Sequence, residues 1–120
     1  LRLRRAGGLS PFSEMAASKG LAGTVFGVVL KSRDEAVGMG RIVGDGGCFF
    51  QIVDIVVSPE HQRRGLGRQI MAALMEYLQS NAPNSAHVSL IADVPANKLY
   101  EQFGFKETAP RSVGMAVSIR

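Results

Sequence analysis

Apolar residues recur along the chain with two periods, and each change of period marks a boundary between elements. Thr24 to Lys31 (TVFGVVLK) is rich in β-branched and aromatic residues and predicts a strand, with Ser32-Arg33-Asp34-Glu35 as a polar hairpin turn. Ala36 to Val43 predicts its antiparallel return. Gly38, Gly40 and Gly44 recur in and just after that return, where glycine marks a bulge, a bend or a close approach. Asp45-Gly46-Gly47 predicts a second turn, leading through Phe49 and Phe50, both expected in the core, into a third strand. In that strand Ile52, Val53, Ile55, Val56 and Val57 form a nearly unbroken apolar run, which suits burial on both faces.

Beyond Ser58-Pro59 the period lengthens. Leu66, Ile70, Leu74, Tyr77 and Leu78 predict an amphipathic helix from about Leu66 to Gln79, stopped by Asn81-Ala82-Pro83-Asn84. Ala86 to Ala92 (AHVSLIA) predicts a buried strand parallel to the third across this helical crossover. Asp93 and Pro95 introduce a second helix, with Ala96, Leu99, Tyr100 and Phe103 on one face and Gly104 as its stop. Val113 to Ile119 predicts a closing strand. At the other end, Ser10-Pro11 predicts the cap of a short helix through Phe12, Met15 and Ala16, closed around Gly20 and Gly23. Leu1 to Arg5 reads as the end of a strand whose beginning lies outside the sequence. The expected fold is α+β: a mixed sheet, antiparallel at its start with a parallel pair at its centre, flanked by helices.

Composition narrows the class. A chain of 120 residues with 46% hydrophobic content fits one domain, residues 1–120, with no room for a second core. The net charge of +4 and a pI near 9.7 point to an anionic partner: nucleic acid, an anionic membrane surface or a polyphosphate ligand. The basic residues form no long run, which ranks nucleic acid low. One cysteine, Cys48, excludes an internal disulfide and a cysteine-rich metal site, and is expected as a small buried residue. His61 and His87 lack the spacing of a zinc helix, so no metal is expected. No apolar run approaches the roughly 20 residues of a membrane span and none resembles a signal peptide, so the expected location is cytoplasmic.

The chemistry concentrates between Gln51 and Gln69, QIVDIVVSPEHQRRGLGRQ. Gly65 and Gly67 would each cost about 1 kcal/mol inside a helix, so their pairing at the helix entrance suggests a special backbone that exposes N–H groups. Arg63, Arg64 and Arg68 crowd the positive end of the helix dipole, which is unfavourable unless an anion binds there. A solvated basic helix start is the plainer reading of a glycine pair alone. Strand, glycines, arginines and amphipathic helix together favour a phosphate site.

The order Gln62-x-x-Gly65-x-Gly67 after Ile55-Val56-Val57 resembles the acyl-CoA signature (Arg/Gln)-x-x-Gly-x-(Gly/Ala) of the GNAT superfamily of N-acetyltransferases. It matches neither the dinucleotide fingerprint nor the P-loop. The segment Pro95-Ala96-Asn97-Lys98-Leu99-Tyr100-Glu101-Gln102-Phe103-Gly104-Phe105 resembles the family's second signature. The resemblance covers Thr24 to Ile119 in element order and is strongest from Gln51 to Phe105. It implies a GNAT-like acyl-CoA N-acyltransferase fold lacking part of its first strand, and transfer of the acetyl group of acetyl-CoA, the cosubstrate, to a primary amine by direct attack in a ternary complex.

The same resemblance implies roles residue by residue. Ile55, Val56 and Val57 would offer main-chain groups to the pantetheine arm where the third strand splays from its parallel neighbour. Gln62, Arg63, Arg64, Gly65, Leu66, Gly67 and Arg68 would hold the pyrophosphate, and Asn97 would contact the CoA arm. Tyr100 would protonate the departing thiolate; its plainer alternative is packing in the core with the hydroxyl at the rim. Asp54 is the acidic candidate for the base, since a carboxylate in an apolar strand is costly unless paired or functional. Some family members place a glutamate three residues earlier, where this chain has Gln51, so a water relay, or attraction of a cationic amine by Asp54, stands beside direct base catalysis.

The acceptor expected is a small-molecule amine, with a protein N-terminus or lysine side chain as the rival. Two further readings are a non-catalytic acyl-CoA-binding module and a basic nucleic-acid binder; neither nucleic acid nor membrane is the expected partner. Exposed strand edges leave room for a homodimer.

Overall fold

The structure, a computed structural model, describes residues 12–119, so the readings of Leu1 to Arg5 and of Ser10-Pro11 lie outside the described residues. Helix α1 spans Glu14–Ala22, and Ser13 is its cap, its Oγ accepting from the Ala16 N–H at 3.1 Å. Strands β1 (Phe26–Ser32), β2 (Glu35–Gly44) and β3 (Phe49–Val57) form an antiparallel meander. Arg33 and Asp34 both take positive φ, 53° and 66°, so the first connection is a two-residue hairpin turn whose twist matches its strands. The second turn is closed by Asp45, whose Oδ1 accepts from the Gly47, Cys48 and Phe49 N–H groups.

After a 3-10 turn at Pro59–His61, helix α2 (Leu66–Asn81) crosses the sheet and returns the chain to β4 (His87–Ser89), parallel to β3. The strand order is β1-β2-β3-β4, a mixed sheet with the expected antiparallel part and parallel pair. Helix α3 follows at Asn97–Glu101.

The core lies between α2 and one sheet face. Ile70, Met71, Leu74 and Leu78 of α2 are buried against Ile42, Phe50 and Ile52, and Phe26 stacks on Tyr77 at 4.3 Å between ring centroids. Each such aliphatic side chain withdrawn from water contributes about 1.5–3 kcal/mol, so this seam is the main source of stability.

A bulge accommodates Asp54 within the apolar run of β3. Arg41 pairs with Val53 and Met39 with Val56, so Gly40 alone opposes both Asp54 and Ile55. Asp54 sits at φ 58°, a left-handed conformation that aspartate tolerates better than most residues. The extra residue flips the alternation, and Ile52 and Ile55 therefore both pack against the α2 core. A Cβ on Gly40 would lie 2.5 Å from Ile55 Cδ1 and 2.6 Å from Ile70 Cγ2, so the glycine is required by the bulge and the helix together.

Several elements differ from expectation. β4 is three residues long rather than Ala86 to Ala92, and α3 is confined to Asn97–Glu101. Phe49 is exposed, as is Cys48, because the turn that precedes β3 lies at the sheet's end in solvent; Phe50 alone of the pair enters the core. Val113 to Ile119 is no strand of this sheet: it carries no regular secondary structure, and Val113, Met115, Val117 and Ile119 are exposed.

Candidate active site

Beyond Phe49, Phe50 and Gln51, which pair with His87, Val88 and Ser89, β3 and β4 part. From Ile52 to Val57 the β4-facing edge of β3 has no strand beside it among the described residues. The divergence follows from the bulge, which bends β3 and increases its twist. Ile55, Val56 and Val57 occupy this splayed end, with Val56 buried. The Val57 carbonyl there is engaged by Gln62.

The chain then turns into α2 through a backbone that only a few residues tolerate. Arg63 has φ 65° and Gly65, the N-cap of α2, has φ 78°; no side chain caps the helix and no acidic residue occupies its first turn. The first N–H groups of a helix lack intrahelical acceptors, so this end presents donors and a positive dipole flanked by Arg63, Arg64 and Arg68. Gln62, Arg63, Arg64, Gly65 and Arg68 are exposed, while Leu66 and Gly67 are half-buried. A carboxylate cap would have neutralised the end; its absence leaves room for an anionic ligand.

Three contacts hold this end in place. Gln62 Nε2 donates to the Val57 carbonyl at 3.0 Å and ties the turn to the end of β3. A Cβ on Gly67 would meet Leu99 Cδ2 at 3.3 Å, so the second glycine admits α3 against the first turn of α2. Arg68 donates to Gln102 just after α3. Ser58, buried, and His61 Nδ1 lie 2.8 Å apart within the intervening turn.

Helix α3 carries the other two expected residues. Tyr100 is 9% exposed, and burial, reinforced by the charge of Asp93, raises its phenol above the ordinary value of 10.0. Its hydroxyl is therefore protonated at neutral pH, as an ordinary phenol is. Asn97 Oδ1 is buried and has no hydrogen-bond partner, an acceptor whose desolvation is uncompensated unless a ligand supplies a donor. Both residues line a largely apolar cavity of about 570 Å³ bounded by β4, the Leu90 to Ala92 extension, Phe105 and the following loop. Neither Gln62 to Arg68 nor Ile55 to Val57 lines it, so the cradle and the cavity are separate features joined through α3.

Asp54 is not a free carboxylate. Its Oδ2 accepts from Arg41 Nε at 2.7 Å, with the two side chains 10% and 16% exposed. Arg41 Nη1 also donates to the Gly20 carbonyl at 3.2 Å and to Thr24 Oγ1 at 2.9 Å, so Arg41 links the bulge to the end of α1. Sequence reasoning missed Arg41. The available signal was a lone cation in apolar β2 and a lone anion in apolar β3, each costly without the other.

Among the described residues no group of three or more histidine, cysteine or acidic side chains is arranged to hold a metal. No helix of these residues is long and apolar enough to cross a membrane.

Known proteins share the fold. The family model described as an acetyltransferase (GNAT) domain matches residues 8–118. GCN5-related N-acetyltransferase 2, chloroplastic, of Arabidopsis thaliana is 30% identical over 81 residues, 68% of this chain but 31% of its own length. The chain thus spans about a third of that curated relative. A crystal structure from meticillin-resistant Staphylococcus aureus, described as a probable acetyltransferase, superposes with a TM-score of 0.94 at 47% identity, covering 98% of this chain and 89% of that one. The ribosomal-protein-S18-alanine N-acetyltransferase of Escherichia coli shares the fold at a TM-score of 0.74 and 22% identity, over 90% of this chain and 70% of that one. The mixed sheet flanked by helices is accordingly that of an acyl-CoA N-acyltransferase fold, and the chain belongs to the GNAT family of acetyltransferases.

Proposed function

We propose that the chain transfers the acetyl group of acetyl-CoA to the nitrogen of a primary amine by direct attack within a ternary complex. The observation that carries the proposal is the junction of the uncapped α2 N-terminus with α3, through the Gly67–Leu99 approach and the Arg68–Gln102 bond. It brings a donor-rich, positive end for a pyrophosphate beside the helix that bears Tyr100 and Asn97. The residues fit the cosubstrate: Gln62 to Arg68 would hold its phosphates, the edge at Ile55 to Val57 its amide-bearing arm, and the orphaned Asn97 Oδ1 an N–H of that arm.

In the reaction the amine nitrogen forms the new C–N bond, the C–S bond breaks, and the electron pair leaves on sulfur. Tyr100, protonated at neutral pH, donates its proton to that sulfur. The amine must lose a proton, and Asp54 is the acidic group on the central strand; its engagement by Arg41 favours a water relay ending at Asp54 over direct contact.

The acceptor proposed is a small-molecule amine. The Escherichia coli enzyme is named for an alanine of ribosomal protein S18, which keeps a protein N-terminus as the rival acceptor. Calorimetric titration with acetyl-CoA, followed by thiol release against small amines, peptides with free N-termini and lysine peptides, tests the reading. Binding with release that depends on a small amine is expected. Binding without release would leave an acyl-CoA-binding module, and no binding by folded protein would overturn the proposal.

A further inference from the structure

Arg41 does more than neutralise Asp54. Gly40 faces α2, since a Cβ there would meet Ile70 and Leu74, so the next residue, Arg41, projects from the opposite face of the sheet. There its guanidinium is shared: Nε donates to Asp54 in the bulge at 2.7 Å, and Nη1 donates to the Gly20 carbonyl at 3.2 Å and to Thr24 Oγ1 at 2.9 Å. One planar group thus keeps the end of α1 within about 8 Å of the Asp54 carboxylate.

Helix α1 has little packing to hold it there. None of its nine residues is buried, and Met15 and Leu21 are 70% and 60% exposed. A helix of this length is marginal by itself, so its place is set by what ties it to the sheet. Among the described residues, the hydrogen bond from α1 to the sheet is the one that the Gly20 carbonyl accepts from Arg41. A Cβ on Gly20 would lie 3.6 Å from Arg41 Nη2, so the guanidinium also packs on the helix end.

We propose that Arg41 is a positioning residue for the amine acceptor: it holds the end of α1 beside Asp54 and so sets the affinity for the amine rather than the rate of acetyl transfer. This role rests on the proposed transfer, in which the amine's proton reaches Asp54 through water. One intervening water puts the amine nitrogen about 5–6 Å from the carboxylate, inside the reach at which Arg41 holds α1. The amine and the α1 end therefore share the surroundings of one carboxylate. Release of α1 alters the contacts of the amine, whereas Gln62 to Arg68, tied to β3 and α3, keep theirs to the cosubstrate.

Two variants loosen α1 and keep a cation beside Asp54. Arg41→Lys lacks the planar fork that reaches Asp54 and α1 together, and Thr24→Val removes one acceptor at nearly constant shape. Thiol release is measured at saturating acetyl-CoA with the small amine that the wild type uses fastest. The KM for that amine is expected to rise roughly 10-fold in Arg41→Lys and roughly 3-fold in Thr24→Val, with kcat within about twofold and calorimetric affinity for acetyl-CoA unchanged. Thr24→Ser should restore the wild-type KM. Hydrogen exchange, which needs no substrate, should show residues 14–22 exchanging faster in Arg41→Lys while residues 66–81 stay protected. Unchanged exchange over residues 14–22 would show that Arg41 does not hold α1 and would overturn the proposal. An unchanged amine KM, or acetyl-CoA affinity weakened in parallel, would overturn the acceptor role. A wild type that releases no thiol with any amine would remove the transfer reading, and the acceptor role with it, while the exchange result would still decide whether Arg41 holds α1.

Discussion

The ion pair between Arg41 and Asp54 allows the sharpest separation of structure from chemistry. Asp54→Asn keeps a residue that tolerates the observed φ of 58°, so the bulge backbone is retained and only the charge is lost. Arg41 then keeps its bonds to Gly20 and Thr24 but is left cationic and 16% exposed, without its counter-charge. Breaking a buried pair from one side costs about 3–5 kcal/mol, and since asparagine still accepts from Arg41 Nε the lower end, about 3 kcal/mol, is expected. With an unfolding entropy of about 2.1 cal/mol/K per residue over this length, the melting temperature falls by roughly 12 °C. Arg41→Met should cost a similar amount. The double variant should recover about 2 kcal/mol relative to the sum, because neither charge is then stranded. Thermal denaturation by circular dichroism measures all three, and a cost below about 1 kcal/mol or strict additivity would refute the pairing argument. Transfer assayed well below the lowest melting temperature adds the chemical half: Asp54→Asn should slow it roughly 100-fold and Arg41→Met only a few-fold. Equal losses would remove Asp54 from the proton path.

Gly65→Glu should abolish acetyl-CoA binding in calorimetry, because it sets a negative charge at the uncapped α2 N-terminus, whereas Gly65→Ala should cost about 1 kcal/mol of stability for a side chain at φ 78°; undiminished affinity in the glutamate variant would unseat the pyrophosphate assignment. Tyr100→Phe should leave acetyl-CoA affinity intact and slow a chemistry-limited transfer roughly 100-fold. The raised phenol of Tyr100 also contributes stability that is whole below pH 10.0 and is lost as pH rises through the folded value, since the unfolded state releases the proton first; alkaline melting curves of the phenylalanine variant should lack that part of the decline. Gly40→Ala should destabilise by about 1–3 kcal/mol through its clash with Ile55 and Ile70, and Ile55→Val should relieve part of it; independent effects would mean the bulge does not lock the two together.

Local physics was legible in the residues themselves. The change of apolar period located β1 to β3 and α2, because burial of one face or two imposes its period directly on the sequence. The glycines ahead of α2 marked a special backbone at the helix entrance, borne out by the positive φ of Gly65, because φ preference is a property of the residue itself. Tertiary structure alone decided the rest. That Gly67 serves the approach of Leu99 depends on a residue 32 positions away in the sequence. Asp54 is held by Arg41 across two strands whose register is shifted by a bulge, and no local pattern encodes that shift. The alternation of Val113 to Ile119 specifies a strand but not its neighbour, since a strand is completed by hydrogen bonds to another chain segment.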